Sequence, residues 1–219
     1  MMKQRILAIG MAAVLTIGTI VPVLADVGYV TEKVIAICQT EPTILTGEQL
    51  SELADIAPDI TDTRSSVVLA DRRITTTELA DWSSEYWELG GLNAFELEVV
   101  RLINIERAAA GVLPLAINPQ LSMAARFHSQ EMADLRIWGH RSPHHGRGND
   151  RAEMFGHDNI QDHVWGVREN IAGNTRCSQE VVTAWMNSPG HRAAILGEYF
   201  LTIGVGAVQR GGATVKFGS

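Results

Sequence analysis

The stretch from Trp185 to Arg192 constrains the fold most, because it makes one helix end and another begin within a few residues. It reads Trp-Met-Asn-Ser-Pro-Gly-His-Arg. Ser188 is a favoured N-cap residue, and Pro189 suits the first helical position because it has no N–H to leave unpaired. The small Gly190 leaves room beside His191. The sequence therefore predicts that Ser188 caps a short helix and that His191 points from its first turn into a cleft.

Two other short polar stretches lie between apolar runs and carry similar residue types. Gly-His-Arg-Ser-Pro places His140 upstream, and Arg-Glu-Asn-Ile-Ala places Glu169 between the two histidine stretches. Together with His191, they predict one site assembled from three distant segments. Neutral imidazoles and a carboxylate form a ligand set for zinc or a similar divalent ion. A metal held by His140 and His191 is therefore one hypothesis, although no His-Glu-x-x-His or Cys-x-x-Cys spacing supports it.

The same residues leave two other interpretations open. A histidine beside a carboxylate can act as a general base, but the hydroxyls near the site are poor nucleophile candidates. Ser188 is assigned to a helix cap, Ser142 precedes a proline, and neither lies on a Gly-x-Ser-x-Gly elbow. The sequence therefore leaves open whether the protein is an enzyme, and it favours a protein without catalytic activity. Alternatively, the histidines and the glutamate only stabilise the fold as a satisfied polar network.

The remaining histidines near these stretches have simpler interpretations. His128 lies on the apolar stripe of a helix that begins after Asn118, which predicts a core histidine with satisfied hydrogen bonds. His144 and His145 follow His140 in a segment rich in Gly, Arg and Asp, which predicts a solvated loop, with additional metal ligands as the alternative.

Six blocks in a fixed order resemble the CAP superfamily of cysteine-rich secretory proteins, antigen 5 and pathogenesis-related 1 proteins. The resemblance is greatest to its bacterial secreted SCP-like branch and covers about Asn93 to Phe217. The blocks are Asn93–Asn104, Asn118–Ala125, Gly139–His140, Glu169–Ala172, Ser188–His191 and Ile203–Gly206.

This resemblance implies an α+β fold, a three-layer α-β-α sandwich with a central, largely antiparallel sheet. It also implies a cavity lined by two histidines and two acidic residues. His140, Glu169 and His191 match three of those positions. The second acid has no counterpart, because Asn187 and Ser188 stand where it is expected. The expected binding cleft therefore consists of His140, Glu169, Asn187, Ser188 and His191.

Members of the family are linked to lipid or sterol binding, to divalent metal and, by proposal, to proteolysis. The resemblance thus implies an exported protein whose cleft binds a small molecule, a lipid, an envelope component or a metal. A secreted peptidase-like hydrolase and a structural interaction module remain the alternatives.

The N-terminus has the pattern of an export signal. Lys3 and Arg5 precede an apolar run from Ile6 to Leu24, and Ala25 offers a cleavage site. Residues 1–25 are therefore predicted to be a signal peptide, and the protein is expected to be secreted or to lie in the cell envelope. The run approaches the ~20 apolar residues that span a bilayer. An uncleaved anchor is the alternative and is the one expected contact with a membrane.

Charge divides the rest of the chain at residue 92. Residues 26–92 contain 13 acidic and 4 basic residues, whereas residues 93–219 contain 12 of each. The sequence predicts an acidic, partly helical extension over residues 26–92 and a CAP domain over residues 93–219. Neither part is basic enough to indicate nucleic-acid binding.

A helix is predicted from Thr75 to Leu89, because Leu79, Trp82, Tyr86 and Leu89 form one stripe. The stripe is expected to pack on the following domain, with a partner-binding face as the alternative. Residues before Gly90 are nevertheless expected to be dispensable for folding of that domain.

Cysteine content permits one disulfide. The chain has two cysteines, Cys38 and Cys177, and export makes their pairing a candidate. Two unrelated thiols are the alternative.

Overall fold

The computed structural model describes residues 63–157, 166–173, 177–208 and 212–219, all within a unit that runs from Thr43 to Ser219. The helices are α1 (Thr76–Glu88), α2 (Ala94–Ala109), α3 (Pro119–Asp134), α4 (Gly148–Met154), α5 (Ser178–Met186) and α6 (Pro189–Ile195). The strands are β1 (Ala116–Ile117), β2 (Arg168–Ala172), β3 (Thr202–Val208) and β4 (Gly212–Gly218).

Side-chain caps start the two long helices as the sequence predicts. Asn93 accepts a hydrogen bond from the backbone of Glu96 at the start of α2, and Asn118 accepts one at the start of α3. The predicted N-cap position of Ser188 in α6 is confirmed, but the Ser188 side chain makes no capping hydrogen bond. Ser178, whose residue type also favours a cap, is instead the first residue of α5.

The strands form one mixed sheet in the order β1-β3-β4-β2. β1 runs parallel to β3, while β3 with β4 and β4 with β2 are antiparallel. The largely antiparallel sheet expected from the resemblance is thus confirmed. β4 pairs with β3 over its whole length, from Gly212 to Gly218. This register places Lys216 opposite Glu169 on one side and opposite Gly204 on the other.

The two faces of the sheet pack against different helices, because successive side chains of a strand point to opposite sides. One face contributes Ile203, Val205, Val215 and Phe217 to an apolar core with residues of α2, α5 and α6. On the other face, α3 lies against the backbone of β3. A Cβ on Gly204 or Gly206 would collide with the backbone of α3. The two glycines therefore set the distance between helix and sheet, and the result is the expected three-layer α-β-α sandwich.

The segment before residue 92 packs on this sandwich. Trp82 and Tyr86 of α1 are buried in a cluster with Leu121, Phe127 and Phe155. The Trp82 indole N–H also donates to Gln130 Oε1 at 3.2 Å. The predicted packing of the α1 stripe is confirmed except at its end, where Leu89 is exposed.

Because α1 is buried against the domain, we no longer expect the residues before Gly90 to be removable without harm. The notion that residues before Gly90 are dispensable for folding conflicts with this packing, because removing α1 would expose the cluster around Phe127. The domain boundary at residue 92 itself stays a prediction.

Several sequence predictions concern residues outside the described part of the chain: the signal segment 1–25, most of the acidic extension, and Cys38 with its candidate disulfide. Cys177 is described and is buried just before α5. In the described part, no helix combines the length and apolar character needed to cross a membrane.

We predict that Trp82→Ala lowers the free energy of unfolding by about 3–5 kcal/mol, the usual cost of truncating a buried aromatic side chain. The matched control is Trp87→Ala, because Trp87 lies on the same helix but is 56% exposed. Urea unfolding followed by circular dichroism measures both changes. Equal midpoints for the two variants would contradict a structural role for α1.

Candidate functional site

Glu169 is the centre of a buried ion cluster, which we call the Glu169 clamp and define as Glu169, Arg151, Lys216 and His140. Arg151 donates to both carboxylate oxygens, at 3.0 and 2.9 Å. Lys216 Nζ donates to Oε2, and His140 Nδ1 lies 3.0 Å from Oε1. The Glu169 side chain is only 5% exposed. Its carboxylate thus has three hydrogen-bonding partners from three other parts of the chain.

Local structure explains why these groups meet. The β2–β4 register brings Lys216 opposite Glu169. α4 carries Arg151 close to the strands because Gly148 has no side chain; a Cβ there would lie 3.4 Å from both Glu169 Oε2 and Lys216 Nζ. Arg151 also donates to the carbonyl oxygen of His140 at 3.1 Å. The clamp therefore fixes the backbone of the loop that presents His140.

The clamp shifts the pKa values of its members. Burial alone would raise the pKa of Glu169, but Lys216, His140 and Arg151 outweigh it and hold the pKa well below its usual range. Burial lowers the pKa of Lys216 to about 8, and the attraction of Glu169 opposes part of that fall. At neutral pH Glu169 is ionised and Lys216 is mostly protonated, so the clamp contains a full ion pair.

A cleft of about 560 Å³ opens beside the clamp. His140, Glu169 and His191 all line it, as does Ser188. Four of the five residues predicted for the cleft therefore lie together. Asn187 differs: it ends α5, is exposed, and is not among the lining residues. The further lining residues are Arg168, Asn170, Gly190, Ala193, Ala194, Gly197, Tyr199 and Phe200.

His191 occupies the first turn of α6, as the Ser-Pro-Gly-His pattern predicts. Asn170, next to Glu169 on β2, donates its side-chain N–H to the His191 carbonyl oxygen at 3.1 Å and so attaches α6 to the sheet. Burial, with a smaller contribution from nearby His140, lowers the pKa of His191. Its ring is therefore neutral at physiological pH.

A second buried carboxylate lies behind the clamp, in what we call the Glu131 cluster: Glu131, His128, Ser142 and His145. His145 Nδ1 lies 2.6 Å from Glu131 Oε1, and Ser142 donates to the same oxygen. Burial would raise the pKa of Glu131, but hydrogen bonds from His128, His145 and Ser142 outweigh it and lower the pKa to about 2. His128 Nδ1 lies 3.1 Å from Glu131 Oε2, and its Nε2 bonds the Gly139 carbonyl oxygen at 2.8 Å. Glu169 Oε1 lies 3.8 Å from the same Nε2, beyond hydrogen-bonding distance.

The contacts of the Glu131 cluster test the predictions made for the nearby histidines and for Ser142. His128 is fully buried, so its interpretation as a core histidine is confirmed. The solvated-loop prediction is wrong for His145, which is buried because its Nε2 accepts the Ile74 N–H at 2.9 Å while its Nδ1 faces Glu131. His144 is partly exposed and lies 2.6 Å from Asp71. Ser142 is buried with its hydroxyl engaged, so it is unavailable as a nucleophile.

Sequence reasoning missed Arg151, Lys216 and Glu131. Lys216 offered a signal, since it is a lysine inside the otherwise uncharged strand Gly-Ala-Thr-Val-Lys-Phe-Gly. Fully buried lysines are rare unless they are paired. Arg151 and Glu131 lie in polar helical segments and gave no comparable signal.

The profile of the family described as CAP, the cysteine-rich secretory protein family, matches residues 100–217, more than half of the chain. The chain belongs to this family. Its sheet and flanking helices, described above, are the α+β fold that membership implies.

Known relatives extend beyond the part that this chain matches. "Uncharacterized protein YkwD" of Bacillus subtilis (strain 168) is 44% identical over 120 residues, which are 55% of this chain and 45% of YkwD. The crystal structure of an extracellular protein containing a SCP domain from Bacillus anthracis str. Ames has 27% identity and a TM-score of 0.53, over 66% of this chain and 43% of that one. The chain thus spans less than half the length of either protein.

The fold recurs in a more distant protein. An outer surface protein of Borrelia burgdorferi has 21% identity and a TM-score of 0.50, over 57% of this chain and 92% of that one. At this level of identity the likeness shows the fold alone.

The donors of this CAP cleft do not fit a divalent metal. Among the described residues, no group of three or more His, Cys, Asp or Glu side chains is placed to hold a metal ion. The oxygens of Glu169 already accept from Arg151 and Lys216, and these cations would repel a metal beside them. His140 directs Nδ1 to Glu169. Only two imidazoles remain as ligands, fewer than the three protein ligands of a catalytic zinc site.

We predict that Glu169→Gln destabilises the CAP domain by about 3–5 kcal/mol near neutral pH, because it leaves the buried Arg151 and Lys216 without their counter-charge. Glu198→Gln is the matched control, since Glu198 is exposed. Urea unfolding across a pH series measures the effect.

The pH series tests whether ionisation of Glu169 stabilises the folded protein. Folding lowers the pKa of Glu169 from a usual value of 4.5, so its stabilisation is complete above that value and is lost as the pH falls below it. The wild type should lose stability below about pH 5, and Glu169→Gln should show a shallower loss. Identical slopes in both proteins would contradict the clamp.

We predict that zinc leaves the melting temperature of the wild type unchanged at stoichiometric concentration, because Glu169 is neutralised by its own protein partners. Isothermal titration with zinc, on the wild type and on His140→Ala and His191→Ala, measures this directly. Saturable binding that both substitutions abolish, and that weakens as the pH falls through the histidine range of about 6–7, would contradict it.

Proposed function

We propose that this CAP protein acts outside the cell or in the cell envelope by binding a ligand in the cleft beside the Glu169 clamp. The observation that carries the proposal is the cleft itself. Its volume of about 560 Å³ lies within the range of small-molecule sites, about 300–1,000 Å³. Its lining combines polar side chains, among them His140, His191 and Ser188, with the aromatic Tyr199 and Phe200.

Support for the location comes from two sources. The sequence begins with a predicted export signal, and a structural relative at 27% identity is described as an extracellular protein. Both point to the same side of the membrane. Secretion or retention in the envelope is therefore part of the proposal.

The polar end of the cleft has the features of a preorganised binding site. Glu169 is fixed by Arg151 and Lys216, and in turn orients the His140 ring through Nδ1. An ionised carboxylate can only accept, so this contact assigns a proton to Nδ1 and leaves Nε2, on the other side of the ring, for a ligand. The His140 side chain is half exposed. A ligand would thus meet a ring whose orientation is already set, which reduces the entropy cost of binding.

A purely structural role predicts something different at the cleft mouth. His191 and Ser188 belong to neither the Glu131 cluster nor the clamp, yet both line the cleft. Ser188 does not use its side chain as a helix cap. This arrangement supports a role for the two side chains in contacting a ligand.

We predict that Ala193→Trp blocks binding without unfolding the domain, because Ala193 lines the cleft and is exposed. A thermal-shift screen with small metabolites, lipids and envelope fragments should give hits in the wild type, since a ligand that binds only the folded state raises the melting temperature. The hits should disappear in Ala193→Trp and weaken in His191→Ala. Ala108→Trp, at an exposed position of α2, is the matched control and should keep them.

Hits that persist in Ala193→Trp would contradict the cleft as the binding site. Turnover of an ester or peptide library that Ser188→Ala abolishes would support the hydrolase instead.

A further inference from the structure

Charge around the cleft runs against the charge of the chain as a whole. The net charge of the protein is −7 at pH 7. At the floor of the cleft, however, the single carboxylate of Glu169 faces two cations, Arg151 and Lys216. Glu131 lies behind them and is enclosed by its own hydrogen-bond donors. The floor therefore presents no unbalanced negative charge to the cleft.

An exposed arginine adds positive charge to the cleft. Arg168 directly precedes Glu169, is exposed, and lines the cleft. Within the described ranges, no carboxylate forms a salt bridge with Arg168. Arg141, Arg192 and Glu198 are exposed sequence neighbours of lining residues, but none of the three lines the cleft.

Apart from its histidines, the charged residues that line the cleft are Arg168 and Glu169. Arg151 and Lys216 are fully buried beside Glu169 and offset its charge. Arg168 is therefore the lining charge that has no counter-charge in the cleft. A positive charge of this kind attracts ligands of negative charge.

We infer that the cleft takes the anionic end of its ligand, a carboxylate or phosphate group, with Arg168 as the direct partner. The inference rests on the proposed function of the cleft and specifies its ligand class. A guanidinium presents paired N–H donors that match the two oxygens of a carboxylate or a phosphate. His140 and His191, placed on the same cleft, then contact the remainder of the ligand head.

Simple anions test the inference on the full chain. Sodium acetate, sodium phosphate and the neutral acetate isostere acetamide are titrated at constant ionic strength. Side-chain NMR signals of His140 and His191 in 15N-labelled protein report binding at the cleft. We expect saturable shifts with acetate, with phosphate or with both, and at least about fivefold weaker shifts with acetamide. Whichever anion binds tighter identifies the source of the charge, a carboxylate or a phosphate ligand.

Matched arginine variants locate the contact. A hydrogen bond to a charged group contributes roughly 1.5–3 kcal/mol, so Arg168→Gln should weaken the preferred anion by about tenfold or more. Arg73→Gln removes the same charge from an exposed residue that does not line the cleft, and should change affinity less than about twofold. Raising the salt from about 50 to 300 mM should weaken binding in the wild type, because the mouth is open to solvent.

The outcomes separate this inference from the proposed function. Equal affinity for acetate and acetamide, or no loss in Arg168→Gln, would overturn the anionic ligand. If the anions give no shifts while neutral hits from the thermal-shift screen still bind and are lost in Ala193→Trp, the inference fails and the binding cleft stands. If neither anions nor any screened compound bind at the cleft, both fail.

Discussion

The domain depends on one buried carboxylate with two buried cations. Glu169 on β2 contacts Lys216 on β4 and Arg151 on α4, and through His140 it reaches the loop before α4. Taking three charges out of water is costly, and a well-packed apolar trio would often be as stable. The geometry of the clamp is exacting, because Arg151 and Lys216 can reach Glu169 only if strand register, helix position and loop conformation are all correct. The clamp thus connects the sheet to the cleft.

The glycines of β3 allow α3 to pack close to the sheet, and so close to the clamp. Because Gly204 and Gly206 let the backbone of α3 approach the sheet, polar side chains of that helix can reach groups near the strands. Ser129 donates to the Gly206 carbonyl oxygen at 2.8 Å, and His128 Nε2 comes within 3.8 Å of Glu169 Oε1. A bulkier β3 would move α3 outward and separate the Glu131 cluster from Glu169. The close packing of α3 on this face of the sheet therefore sets how near the Glu131 cluster lies to Glu169.

Sequence patterns predicted the parts of this structure that depend on local chemistry. The caps at Asn93 and Asn118, the α1 stripe and the order of the polar blocks are encoded within a few residues. The partners of Glu169 are not, because Lys216 meets it only through a strand register fixed over the whole hairpin. His145 was misjudged for a related reason: its burial comes from Ile74 and Glu131, which are distant in sequence. The side chain of Ser188 departs from its expected role although its backbone position is as predicted.

The clamp also changes what the cleft residues can do chemically. A carboxylate beside a histidine is often a general base or a metal ligand, and both roles need available lone pairs. Glu169 has committed its oxygens to Arg151, Lys216 and His140, and its depressed pKa makes it a weak proton acceptor. Its remaining effect is to orient the His140 ring through Nδ1. The family fold is compatible with several activities, and function is decided by the groups on it. In this chain the buried cations make the His-Glu-His set unsuited to a positive ion, which is why we infer an anionic ligand.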